Sequence, residues 1–132
     1  MKSKVIGLLT LFISNALTAQ SIDQEFEACL AANQTTAGMT NCTNEALVKW
    51  DSELNAVYSE LRTHLDENGK ASLLSAQRAW IAYKELEIKN ISAIYASFEG
   101  TMYIPMRAQE ILEITKSRTL ELQGYLSLVS FK

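Results

Sequence analysis

Between Leu47 and Leu65 the residues Leu47, Trp50, Leu54, Tyr58, Leu61 and Leu65 recur at steps of three and four. That spacing gathers them on one side of an α-helix and rules out the two-residue alternation of a half-buried strand. A second stripe follows on Leu73, Trp80, Ile81, Ile88, Ile91 and Tyr95, and a third on Ile111, Leu112, Thr115, Arg118, Leu122 and Tyr125. Each stripe needs a partner surface, so the chain is expected to close into an all-α antiparallel helical bundle. The bundle should contain about four helices, one short (from 21 to 33) and three long (41–67, 71–98 and 105–126). Ser21 and Gln24 have the spacing of a capping box at the start of the first helix. The turn formers of "NQTTAGMTN" predict a surface loop after it, Asn68 and Gly69 a helix stop, and Pro105 the first turn of the last helix.

The first residues, "MKSKVIGLLTLFISNALTAQ", place two lysines before an apolar run and end in small residues. This is the pattern of a secretory signal peptide over residues 1–19, with cleavage expected after Ala19. The apolar run is much shorter than the roughly 20 residues that span a bilayer, and no cysteine stands at the cleavage point to carry a lipid. A periplasmic or secreted protein without membrane insertion or lipid anchor is therefore expected, with residues 20–132 as one domain. Two lysines and no acid leave with the leader, which takes the formal charge from −3 to −5. That balance disfavours nucleic acid and suits a basic partner.

Cys29 and Cys42 are the only cysteines. In an oxidising compartment such a pair is expected to form a disulfide, worth ~3 kcal/mol for a loop of this length. Two cysteines without nearby histidines supply too few ligands for structural zinc, and no metal or cofactor site is predicted.

Polar residues interrupt the stripes. Asp51 lies between Leu47 and Leu54, Arg118 among Ile111, Ile114 and Leu122, and Gln77 and Lys84 share the stripe of Leu73 and Trp80. A buried charge costs several kcal/mol unless paired, which predicts a pair between Asp51 and Arg118 or Arg78, completed by Asn55, Gln77 and Thr115. A catalytic use of Asp51 with Glu85 or Glu53 would need two carboxylates across a cleft, which a tight bundle does not offer. No nucleophile triad, HExxH or glycine-rich phosphate loop is present, so no catalytic residues are assigned and the polar set is read as internal glue.

Taken in order, "MTNCTNEALVKWDSELNAVYSEL", "LLSAQRAWIAYKE" and "ITKSRTLEL" resemble the motifs of the family of small secreted bacterial domains named after the lysozyme inhibitor LprI, in its N-terminal domain. The resemblance runs from about Cys29 to Leu122. By position it carries over Cys29, Cys42, Asp51, Leu54, Asn55, Tyr58, Gln77, Arg78, Trp80, Lys84, Glu85, Thr115 and Arg118 as motif residues. Two departures stand out: Ile88 and Ile111 occupy the places of a second cysteine pair, and Lys84 stands where arginine is usual. The resemblance implies a secreted binding protein whose partner is a protein, with a lysozyme as the partner that the family name suggests. The alternative is an envelope adaptor that inhibits nothing. An inhibitor of this kind would offer hydrogen-bond donors from an exposed loop to the two carboxylates of a lysozyme cleft. The segment from Ser97 to Met106 fits best, with Ser97, Thr101 and Tyr103 beside apolar Phe98 and Met102.

Overall fold

The computed structural model describes residues 6–131, with side chains from Leu17 onward. Four helices fill almost all of it: α1 (Ile6–Ala32), α2 (Thr36–Thr63), α3 (Glu67–Tyr95) and α4 (Tyr103–Ser130). The charged start of the predicted leader, residues 1–5, lies outside the described residues. The expected cleavage point after Ala19 falls within α1, so Ser21 does not cap a helix start; its hydroxyl donates instead to Glu25 one turn on.

Two boundaries differ from the expected ones, and side-chain caps explain both. Most of the predicted 33–41 loop is the first turn and a half of α2. The Thr35 hydroxyl accepts from the Gly38 amide at 3.0 Å and starts the helix there. Gly38 leaves room for this cap, because a Cβ would come within 2.9 Å of both Asn33 Cβ and Thr35 Oγ1. Asn68 and Gly69 likewise do not stop α2. That helix ends at Thr63, and Asp66 caps α3 by accepting from the Gly69 amide at 2.8 Å.

At the centre α2 and α4 run parallel. The Thr119 hydroxyl approaches the Trp50 carbonyl at 3.4 Å, and Gln123 donates to Glu53 at 3.1 Å, so partner numbers rise together along both helices. Thr115 and Thr119, both fully buried, are small enough for α4 to lie close against Trp50. Helices α1 and α3 flank this pair and do not meet among the described residues. Each covers one half of it. Against α1, Ala19 and Ile22 join Ala46, Trp50 and Leu112, with Phe26 and Leu47 at the margin. Against α3, Leu73 joins Leu54, Val57, Leu61, Leu122 and Leu126, with Tyr58 and Trp80 packed alongside. Fully burying one such aliphatic side chain contributes about 1.5–3 kcal/mol.

The α1–α2 hairpin is closed by the Cys29–Cys42 disulfide, with Cα atoms 5.7 Å apart. The middle of α1 is held by polar contacts that span helices. Lys116 of α4 donates to both carboxylate oxygens of Asp23 at 2.9 Å, and its ammonium lies 5.5 Å from the Trp50 ring centroid. Lys49 of α2 pairs with Glu25.

Candidate functional site

The polar residues of the predicted network do not converge on one point. Asp51 is the clearest correction: its side chain keeps 54% of its accessible surface and meets Lys84 at 3.8 Å, touching neither Arg78 nor Arg118. The buried side of α2 is centred on Ala46, Trp50, Glu53 and Val57, about 75° round from the Leu47–Tyr58 line at 3.6 residues per turn. Asp51 therefore stands at the margin of the packed face. Asn55 is also exposed and donates to the Asp51 carbonyl, a contact within its own helix. Arg78 points to solvent.

Gln77 and Arg118 do meet. The Arg118 Nε donates to the Gln77 side-chain oxygen at 3.1 Å, and Nη1 donates to Glu121 at 2.5 Å. This joins α3 to α4, while the Asp51–Lys84 pair joins α2 to α3. Lys84 also lies 5.3 Å from the Trp80 ring centroid. The two intrusions on the α3 stripe are thus links between helices, each at the edge of the apolar contact. Thr115 is fully buried, and its hydroxyl has no hydrogen-bond partner among the described residues. The register set by Gln77–Arg118 and Ser92–Arg107 brings Ile88 level with Ile111, and both are half-buried.

An exposed ion pair contributes only about 0–1 kcal/mol. Asp51→Asn is accordingly expected to shift the denaturation midpoint by less than about 1 kcal/mol. A loss of several kcal/mol in urea unfolding would show that Asp51 carries more of the fold than its exposure implies.

Glu53 is the one buried charged residue among the described residues, and burial raises its pKa above the ordinary glutamate value against the opposing Gln123 hydrogen bond. Ionised Glu53 therefore disfavours the folded state at neutral pH. The penalty is complete above the raised value and vanishes below the ordinary one, where folded and unfolded chains are both protonated. Glu53→Gln keeps the acceptor for Gln123, and should melt a few degrees higher at pH 7 with the gap closing towards pH 4. A variant that melts lower at pH 7 would contradict the sign. Glu53 turns to α4 and Asp51 to α3, while Glu85 is exposed, so these carboxylates face different surroundings.

The α3–α4 connection is built differently. Ser92, Ala96 and Tyr95 end α3, and Gly100 turns the chain at φ 114°, a conformation that side chains rarely adopt. Phe98 stacks on Tyr103 with centroids 4.9 Å apart, and Tyr95 meets Phe98 edge-on at 5.8 Å. Although stacked, Phe98 remains 48% exposed, and Met102 is 60% exposed. The Ser97 hydroxyl is occupied, donating to the Ile94 carbonyl at 2.7 Å. Of the three donors expected from the sequence, Thr101 and Tyr103 remain at the tip of the bundle.

The profile of the family described as lysozyme inhibitor LprI matches residues 28–122. The chain belongs to this family. The matched span begins beside Cys29 and ends at Leu122, so it contains the disulfide, all of α2 and α3 and α4 as far as Leu122. A solved structure of an uncharacterized protein from Burkholderia thailandensis has the same fold, with 30% identity and a TM-score of 0.76. The likeness covers 82% of this chain and 54% of that one, so this LprI-family chain spans about half the length of its structural relative. No curated protein matches the chain.

Sequence reading missed the Lys116–Asp23 bridge, whose partners lie 93 residues apart and carry no local signal. It also missed the stacking of Phe98 on Tyr103. The aromatic types and the intervening glycine were visible in the sequence, but the turn that brings the rings together was not.

Proposed function

We propose that the protein acts outside the cytoplasm as a binding protein of the LprI family, and that it inhibits a lysozyme-type muramidase through the α3–α4 tip. The observation that carries this reading is the tip itself, where Thr101 and Met102 are exposed on a turn rooted in the Tyr95–Phe98–Tyr103 aromatic stack. A retaining glycosidase cleft holds two carboxylates about 5 Å apart on an apolar bed. A rigid turn carrying hydroxyl donors between apolar side chains suits such a cleft, and the stack lowers the entropy lost on docking. The acidic chain also favours encounter with a basic lysozyme surface.

The test adds the purified protein to a lysozyme acting on cell walls and follows turbidity, with a sizing column to detect the complex. Slower clearance together with co-elution is the expected result. Thr101→Val with Tyr103→Phe removes both hydroxyls and keeps the ring stack, and should weaken inhibition by roughly a hundredfold or more, as when two donors to charged groups, each contributing about 1.5–3 kcal/mol, are lost. Undiminished inhibition by this variant would move the contact away from the tip. Unchanged clearance at large molar excess, with no complex, would sink the inhibitor reading and favour an envelope adaptor.

A further inference from the structure

The two flanks of the central helix pair are unequally covered. On one flank α1 lies along α2 and α4, its Ile22 and Phe26 on the apolar floor and its Asp23 and Glu25 paired with Lys116 and Lys49 at the rims. On the other, α3 and α4 leave a groove between them along their outer side. Trp80, Tyr83 and Ile91 of α3 and Ile114 of α4 contribute its apolar surface. Tyr83 is 53% exposed.

The rims of this groove carry one sign of charge. Glu87 stands on α3, and Glu110, Glu113 and Glu121 on α4, against a single cation, Arg118. Arg118 is already engaged by Glu121 and Gln77, and Glu87 accepts from Asn90 at 3.3 Å. Glu110 and Glu113 enter no ion pair among the described residues. From Glu110 to Glu121 the groove follows α4 for about 16 Å at 1.5 Å per residue, three helical turns.

We propose that this α3–α4 groove receives a cationic amphipathic helix of a partner protein. The occupant would lay an apolar stripe on Trp80, Tyr83 and Ile114 and place lysines or arginines against Glu87, Glu110 and Glu113. The manner in which α1 docks supplies the template: an apolar floor, and an ion pair at each rim. Helix-in-groove recognition works through these same two elements, with anchors three and four residues apart. Charge complementarity decides the sign of the partner and hastens its approach. The groove is distinct from the tip formed by residues 97–103, so the proposal stands whether or not the protein inhibits a lysozyme.

The test titrates the isotope-labelled protein with three synthetic peptides: a helical leucine/lysine peptide of about three to four turns, oligolysine of equal charge, and a leucine/glutamate helix. The leucine/lysine peptide is expected to bind, moving the amide resonances of residues 83–91 and 110–118, with oligolysine much weaker and the acidic helix inert. Glu110→Gln with Glu113→Gln should weaken the first peptide roughly five- to tenfold, as for two solvent-facing ion pairs. Tyr83→Ser should weaken it through the floor. Both side chains of the first variant and the Tyr83 ring face solvent, so neither change should lower the melting temperature. Equal affinity in both variants, resonance changes confined to another face, or oligolysine binding as well as the amphipathic peptide would each overturn the proposal.

Discussion

Trp50→Ala should be the most damaging single truncation in the molecule, lowering stability by about 3–5 kcal/mol. Trp50 is 0% exposed and sits where α1, α2 and α4 meet, packed with Ile22, Ala46 and Leu112. Its loss would open a cavity that three helices line, and it would also take away the ring beneath the Lys116 ammonium. Close-packed interiors relax only partly around such a void. Trp50→Phe separates volume from chemistry. The indole Nε1 is buried without a hydrogen-bond partner, so the phenyl ring removes an uncompensated polar group while leaving a smaller void. Phenylalanine should therefore recover well over half of the alanine loss. Urea unfolding followed by helical circular dichroism measures both. An alanine variant within about 1 kcal/mol of wild type would mean that the three helices do not share this core.

Replacing Cys29 and Cys42 together by serine is expected to cost about 3 kcal/mol, the loop-closure entropy that the crosslink removes from the unfolded chain. The crosslink joins residues 13 apart in sequence and ties the end of α1 to the start of α2. Beyond it, α1 is held by Ile22 and Phe26 and by the Asp23 and Glu25 ion pairs, whereas α2 and α4 hold each other along their length. The loss should be local. Hydrogen exchange in the serine variant should quicken first at residues 22–32, while Leu54, Val57 and Leu122 keep their protection. Uniform loss of protection across all four helices would show that the bridge governs the whole fold. Two alkylatable thiols in the native oxidised protein would remove the premise.

The helices were legible in the sequence because a step of three and four is a property of the chain alone. Leu54, Leu61, Leu73 and Leu122 all stand on their predicted stripes and in the core. The centre of the α2 face was less legible. Glu53, Val57 and Ala46 are buried because α1 and α4 approach from their side, and a single helix read in isolation cannot say from which side its neighbours come. Asp51, one residue from Trp50, thereby moves from the expected core to the surface. Ile81 shows the same effect on α3, where no helix covers its side and it stays exposed. Thr119, fully buried at the closest approach of α2 and α4, gave no signal because threonine is common on helix surfaces as well. At the candidate sites, residue types at the tip could be read in advance, whereas the α3–α4 groove required the pairing of two helices, whose lining residues are 19 positions apart even at their nearest, Ile91 and Glu110.

The parallel pairing of α2 with α4 also sets an order of assembly. Thr119 reaches the backbone of Trp50 across 69 positions of chain, and Gln123 reaches Glu53 across 70. Contacts so distant in sequence carry a large loop-closure cost before they return any stabilisation, and such topologies fold more slowly than bundles of neighbouring helices. A chain released from its N-terminus forward can close the α1–α2 hairpin, and its disulfide, while α4 is still absent. Until α4 arrives, Val57 and Leu61 lie open along α2, a surface on which unfinished chains would adhere to one another. The 28-residue α4 therefore completes the interior that α2 began, and this interior closes only when that helix is in place.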